Sequence, residues 1–396
     1  MNSTNTTNLI CQHFGICGGC QYQDVEYSVQ LENKYKLLVE QFKDFDVDEI
    51  KPVIPSPKIW YYRNKMEFII GKDKTGKIVA GLRQKNKFYK IVDLKECRIS
   101  FEQTGDILDN VKKWVSENHI ETYDLLKHSG KVRYLTVKQA KSTTETMLIL
   151  VVTGTKYQIE HNEYQLFNNF VTYYKNIPEV SSVYIAINNK ISDNAVPDDV
   201  LLFYGKNSIL DTINDVKYEI LPTIFLQTNP KCCDLLYKTV LDEIVEGNIL
   251  DLYCGSGGIT LQVAKHKPLG KIIGIDSSKD NIAAAQNNLL LNNLSENIEF
   301  VCDNVEVFIT KLWKSKFMSN LSNIIVDPPR PGLSKKVKGA ISDLAVNKII
   351  YISCNPNTLY EDLKTFVKFY RIKKIIPIDM FPHTQHIELV CVLEHK

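Results

Sequence analysis

From Asn248 to the carboxyl end, short runs rich in β-branched residues alternate with stretches of helical periodicity, and this alternation restricts the fold more than any other feature of the chain. The runs are NILDLYC, KIIGID, IEFVC, NIIVD, KIIYISC and IIPIDM, with a final IELVCVLEH. Among the intervening stretches, KDNIAAAQNNLLLNN carries its apolar residues at helical spacing. Strands separated by helices return to the sheet in the same direction, so a parallel, doubly wound α/β sheet is expected over residues 223–396. Ligands in such sheets bind at the carboxyl ends of the strands. The motifs described below fall at such ends.

The amino-terminal half has a different texture. A helix is expected near residues 26–43, from apolar positions at helical spacing, and KPVIPSPKIW then breaks it with prolines. The β-type runs MEFII, KIVAGL, FYKIVDL, YLTVKQ, TMLILVVTG, SSVYIAIN and LLFY follow, with a helix expected within 101–128. They predict an α+β domain around an antiparallel sheet. We divide this half into 1–100, holding a cysteine cluster and a basic hairpin segment, and 101–222, the rest of the domain.

Charge separates these regions more clearly than the net value of +2 suggests. Residues 51–100 carry 13 Lys or Arg against four acids, a balance of +9, whereas the first fifty carry three against eight, a balance of −5. The basic stretch is interleaved with Trp60, Tyr61, Tyr62, Phe68, Phe88 and Tyr89. It suits a polyanion with unstacked bases, or equally a solvated basic face over an aromatic core. No apolar run approaches the roughly 18 residues of a membrane span, and MNSTNTTNLI has no secretory character, so a cytoplasmic protein is expected. Ten cysteines in that compartment are better explained by metal binding or catalysis than by disulfides.

Asp251 to Gly258, DLYCGSGG, follows a strand and opens a helix, with Gly255, Gly257 and Gly258 letting the backbone approach a ligand. A dinucleotide fingerprint needs a further glycine where Thr260 stands, which disfavours NAD. Asp276 ends the next strand, placed to accept hydrogen bonds from ribose hydroxyls, and together these features favour S-adenosylmethionine. Asp327 begins DPPRP after a fourth strand, and Cys354 ends a fifth in ISCNP. A cysteine at a strand end is more often a small buried hydrophobe than a nucleophile. Here it has a chemical rationale. Carbon 5 of uracil cannot take a methyl group from a sulfonium directly, but thiolate addition at carbon 6 makes carbon 5 nucleophilic. A base must then remove the carbon-5 proton, and Glu388, opening the last strand, is the candidate. His383 and His386 are expected to pack in a loop, without a catalytic role.

In their order along the chain, FLQTN (225–229), Asp251 to Gly258, DPPR (327–330), SCNP (353–356) and DMFPHTQHIE (379–388) resemble the RNA uridine-5-methyltransferase family over most of the sequence. The resemblance implies that Cys354 is the nucleophile and Glu388 the proton acceptor. It implies that Gln227, Tyr253, Asp276 and Asp327 serve the cofactor, with Asn304 a further candidate; Gly258 departs from an asparagine that some members have. Cys11, Cys17, Cys20 and Cys97 look like the four-cysteine pattern of the ribosomal-RNA members, which implies a [4Fe-4S] cluster with zinc as the runner-up. Cys232, Cys233, Cys254, Cys302 and Cys391 are expected to be packing residues.

Some members carry an amino-terminal β-barrel that binds RNA; with Cys11 this early, none is expected here. RNA contacts are therefore expected from 51–222, with Arg63, Lys65 and Arg133 as candidates. The expected substrate is 23S ribosomal RNA, acted on by a monomer. Transfer RNA is the alternative within the same chemistry, since archaeal-type members of that group are compatible with the cysteines. A non-catalytic, metal-stapled RNA-binding protein is the alternative from another class; it would need neither Cys354 nor Glu388.

Overall fold

The computed structural model describes residues 10–267, 270–294, 297–312, 317 and 320–396, so the first nine residues, whose sequence shows no secretory character, lie outside it. The chain divides into two units. One comprises 10–25, 58–211 and 220–223; the other 26–57, 212–219 and the described residues from 224 to 396.

The central strands of the second unit are β11 (Asn248–Leu252), β12 (Ile272–Asp276), β13 (Ile298–Cys302), β14 (Leu321–Val326) and β15 (Lys348–Ser353), all parallel. The last strand, β17 (Glu388–His395), runs antiparallel between β15 and β16 (Tyr370–Ile378). With β1 (Val47–Ile50) at one edge they make an eight-stranded sheet in the order β1-β16-β17-β15-β14-β11-β12-β13. Alternate residues feed two cores. Leu250, Leu252, Ile324, Val326 and Tyr351 face one side, while Ile249, Ile325, Ile350 and Ile352 face the other. This period-2 division explains the near-continuous apolar runs, because both faces are covered by helices.

Helices α4 (Pro230–Glu243) and α5 (Gly258–His266) cover one face, and α7 (Val305–Leu312), α8 (Lys335–Leu344) and α9 (Pro356–Phe366) cover the other. Helix α6 (Lys279–Leu291) starts on Ser278, whose hydroxyl accepts from the Asn281 amide. Residues 26–57, which the sequence groups with the first hundred, belong to this unit. Helix α1 (Tyr27–Gln41) leads into Phe42, and Leu38 and Phe42 both enter the core, while β1 is a parallel edge strand with Val47 opposite Ile372. Four residues of mixed polarity give no strand signal of their own.

The first unit holds a seven-stranded sheet whose strands are β2 (Lys65–Lys72), β3 (Ile78–Gln84), β4 (Lys87–Asp93), β5 (Val132–Gln139), β6 (Thr146–Val152), β7 (Val180–Ile187) and β8 (Asp199–Gly205). Their order is β4-β3-β2-β5-β6-β7-β8, and β9 (Ile209–Ile213) and β10 (Val216–Ile220) pair separately. The antiparallel expectation needs one correction: β6 and β7 are parallel, joined through a π-helical turn and α3 (Tyr164–Thr172). Helix α2 (Thr104–Glu117) buries Ile107, Leu108, Val111, Trp114 and Val115, and the Trp114 ring meets Phe170 edge-on at 4.9 Å. Each such fully buried side chain contributes about 1.5–3 kcal/mol. No helix among the described residues is long and apolar enough to cross a membrane.

Candidate active site

Strand register brings the predicted residues to one edge. Leu252 pairs with Ile275 and Val326, and Val326 with Tyr351, so the residues that follow, Tyr253, Asp276 and Asp327, emerge level at the carboxyl ends of β11, β12 and β14. Strand β15 runs on to Ser353, which pairs with Leu389 of antiparallel β17. Cys354 therefore leaves its strand beside Glu388.

The loop after β11 is shaped by its glycines and by Asp276. Tyr253, Gly255 and Gly257 all take positive φ, and Gly257 has no room for a side chain, since a Cβ there would lie 2.9 Å from the Phe300 ring. Gly258, which stands where the resemblance allows asparagine, is closed in by Tyr237, whose hydroxyl would lie 2.5 Å from an added Cβ. The Asp276 carboxylate accepts from the amides of Gly255 (3.1 Å) and Ser278 (2.8 Å) and from the Asn281 side chain (3.2 Å). Two carboxylate oxygens offer about four lone-pair sites, which leaves capacity for a ligand hydroxyl. Thr260 ties down the buried Asp251, its hydroxyl donating to Oδ2 at 2.5 Å.

Electrostatics are dominated by burial. The carboxyl groups of Asp251 and Asp327 are each pushed up to about 7, chiefly because the site desolvates them. Glu388 is 3% exposed, and burial, reinforced by the neighbouring Asp327 charge, holds its carboxyl well above the usual carboxylate range; Arg330 opposes this. The half-buried Cys354 thiol is raised by burial and then by Glu388, with Arg330 again acting in the opposite sense. Sequence reasoning marks Arg330 only as the place where other methyltransferases carry an aromatic ring. In this site it is the cation whose charge reaches both Cys354 and Glu388.

The loop leading to Glu388 is held by a helix to which the sequence assigns no role. Lys34 of α1 places its ammonium 2.6 Å from Asp379 Oδ1 and 2.8 Å from the His386 carbonyl, with both side chains of the ion pair buried. Gln30, one turn earlier, accepts from the His383 amide (3.0 Å) and lies 3.1 Å from His383 Nδ1. His383 is thus packed into this loop, at positive φ. Gln227 is half-buried in the segment before α4, where Asn229 caps the helix and donates to Ser56 and the Met380 carbonyl. Asn304 is exposed and caps α7, accepting from the Glu306 and Val307 amides.

In the first unit, Cys11, Cys17, Cys20 and Cys97 line one small cavity of about 20 Å³. The chain around them is fastened by side-chain acceptors: Gln23 takes the Cys11 amide at 2.8 Å, and Glu96 takes the Gln12 amide at 3.0 Å. Burial raises all four thiols, Cys20 to about 11 and Cys97 to about 12. Among the described residues, no group of three or more His, Cys, Asp or Glu side chains that could hold a metal ion is found. Of the remaining cysteines, Cys232, Cys233, Cys254 and Cys391 are buried, but Cys302 is exposed rather than packed.

The candidate RNA-facing residues divide sharply. Arg133 is 2% exposed and donates to the Asn188, Lys190 and Ser192 carbonyls, so it supports the fold and presents no charge to a polyanion. Lys65 is ion-paired with Glu67 at 2.7 Å, and Arg63 is half-buried. Tyr62 and Phe68 are core residues, whereas Phe88 and Tyr89 are exposed.

Residues 26–396 match the family described as tRNA (uracil-5-)-methyltransferase. An uncharacterized RNA methyltransferase of Caldanaerobacter subterraneus subsp. tengcongensis is 36% identical, covering 97% of this chain and 84% of its own length. The tRNA (uracil(54)-C(5))-methyltransferase of Pyrococcus abyssi is 34% identical over 97% of this chain and 85% of its own. The crystal structure of the Pyrococcus abyssi tRNA (uracil-54, C5)-methyltransferase, in complex with S-adenosyl-L-homocysteine, superposes with a TM-score of 0.78 at 31% identity, covering 95% of this chain and 84% of that one.

Proposed function

The chain belongs to the tRNA (uracil-5-)-methyltransferase family of S-adenosylmethionine-dependent RNA methyltransferases, and from that premise we propose that it methylates carbon 5 of one uridine in a folded RNA through a covalent bond to Cys354. The adjacency of Cys354 and Glu388 across β15 and β17, at the sheet edge that carries the glycine loop and Asp327, supports this reading best. The uridine is flipped from its stack so that carbons 5 and 6 face the two reactants. Cys354 Sγ, as thiolate, adds to carbon 6, and the electron pair gathers on the carbon-4 carbonyl. Carbon 5 then takes the methyl group that S-adenosylmethionine supplies. The Glu388 carboxylate removes the carbon-5 proton, and the returning electron pair expels Cys354. Arg330 keeps thiolate and carboxylate accessible in a site whose burial disfavours both. In this reading Tyr253, Gly255, Gly257, Gly258, Asp276 and Asp327 would line the cofactor site, with Gln227 before α4 and Asn304 at the start of α7 as further candidates.

For Cys11, Cys17, Cys20 and Cys97 we propose a [4Fe-4S] cluster. Four cysteines round one cavity, Cys11 and Cys97 buried and Cys17 and Cys20 half-buried, supply the four thiolates such a cluster takes, with zinc the alternative for the same donors. Such a group would fasten the residues after Ile10 to the turn at Cys97. Anaerobic purification should yield about four irons per chain; stoichiometric zinc would overturn this assignment.

Ribosomal RNA is the substrate expected from the cysteine pattern, and the similarity to a transfer-RNA enzyme gives that alternative equal support. Transfer of labelled methyl groups to unmodified 23S and transfer-RNA transcripts, with mapping of 5-methyluridine in cells lacking the chain, tests both. Disappearance of one 5-methyluridine is expected; an intact complement of it would overturn the proposal.

A further inference from the structure

The hairpins of the first unit's sheet edge carry features that the active site does not use. Strands β2, β3 and β4 end in two turns bearing Lys72, Lys74, Lys85 and Lys87, all exposed, and Lys90 follows on β4. None of these five makes an ion pair among the described residues; Lys77, near them, only approaches Asp93 at 4.0 Å. Beside the lysines, Phe88 and Tyr89 are 67% and 58% exposed and meet edge to face, ring centroids 5.7 Å apart. Two adjacent large aromatics on an edge strand expose apolar surface at a cost that packing elsewhere would normally remove.

Both rings border a cavity of about 420 Å³, within the range of about 300–1,000 Å³ typical of small-ligand sites. Its floor is polar and fixed. Asp193 is gripped by Arg83, at 2.9 and 3.0 Å to its two oxygens, and by the Tyr134 hydroxyl. The Arg133 guanidinium lies over the Tyr123 ring at 4.1 Å, and the Nε donors of Arg83 and Arg133 are buried without a partner among the described residues. Exposed rings with unpaired ammonium groups around the opening match an unpaired nucleotide: ring for base and ammonium for phosphate.

We propose that the β2–β4 hairpin edge and this cavity form a second RNA site, which holds an unpaired base of the substrate RNA on Phe88 and Tyr89 while Lys72, Lys85 and Lys87 contact its flanking phosphates. The proposal rests on the RNA-methylating reading and adds where RNA away from the reacting uridine is gripped.

The test uses the full chain with two probes, an unmodified transfer-RNA transcript and a 20-nucleotide oligouridylate, titrated from low to moderate salt, with S-adenosylhomocysteine binding as the control. Phe88→Ala with Tyr89→Ala should weaken oligouridylate binding about 5- to 100-fold and leave S-adenosylhomocysteine affinity unchanged. Lys72→Glu with Lys87→Glu should flatten the salt dependence by about 0.7 in slope for each phosphate that is no longer neutralised. Photocrosslinks from 4-thiouridine should fall on the peptide holding Phe88 and Tyr89. RNA affinity unchanged in both double variants would overturn the proposal, as would competition by polyglutamate as effective as that by oligouridylate, which would mark the surface as a dock for acidic protein. Failure of the wild-type chain to bind or methylate any RNA would instead strike the reading on which the proposal rests.

Discussion

Replacing Glu388 by Gln should separate methyl transfer from release. The carboxyl is 3% exposed, and burial together with Asp327 holds it well above the usual carboxylate range. A carboxamide would fill the same space without acting as a base. Cys354 addition and methyl transfer should proceed, whereas removal of the carbon-5 proton should slow by about 10²- to 10⁴-fold, the usual worth of a positioned general base. The methylated RNA then stays bonded to Cys354 and appears as a slow-migrating band on a denaturing gel, while tritium release from [5-³H]uridine RNA nearly stops. A base with a raised pKa gains its active form only above the usual carboxylate range, so wild-type turnover should climb with pH through that raised pKa, and the variant should lose that Glu388-dependent rise. Stability runs the other way. Because the folded pKa lies above the unfolded one, Glu388 costs the fold increasing stability as pH rises through that interval. Glu388→Gln should therefore be at least as stable as wild type at pH 8, so a fall in activity would not be unfolding. Turnover within about fivefold of wild type, or unimpaired tritium release, would refute the assignment.

Three further outcomes test the surroundings of the site. Lys34→Met leaves Asp379 buried and unpaired and should cost about 3–5 kcal/mol in denaturant unfolding, while Lys34→Met with Asp379→Asn should recover much of it; no recovery would deny the pair its role. Gly258→Ala should lower Tm because its Cβ meets the Tyr237 hydroxyl, and Tyr237→Phe should relieve part of the decrease; an unchanged Tm would contradict the packing. Asp251 and Asp327, held at about 7 when folded against about 3.9 unfolded, each oppose folding as pH rises from about 4 to 8, by at most about 4 kcal/mol. The ligand-free chain should lose stability over that range, and Asp251→Asn should flatten the decline; parallel profiles would refute the burial argument.

The central sheet is legible in the sequence because both its faces are covered, which leaves short, largely apolar runs at β11, β12, β14 and β15. Cys354 and Glu388 can be read as partners from chemistry, and their antiparallel strands bring them side by side. What escapes a sequence reading depends on distant contacts. Strand β1 is four residues of mixed polarity that only its pairing with β16 makes a strand. Lys34 and Gln30 sit on a helix whose sequence names no partner, yet they hold a loop roughly 350 positions on. Arg133 reads as an RNA contact in sequence because local charge cannot show that three backbone carbonyls enclose it. The parallel β6–β7 pair escapes because the helix between them carries no signal that marks it as a crossover.

Covalent catalysis by Cys354 is the claim on which the account turns, and RNA carrying 5-fluorouridine probes it directly, since fluorine cannot leave carbon 5 as a proton does. With S-adenosylmethionine present, the wild-type chain should form a stable protein–RNA adduct whose crosslinked peptide contains Cys354, and Cys354→Ala should form none. An adduct that persists in Cys354→Ala, or efficient methylation of ordinary uridine RNA by that variant, would contradict the mechanism.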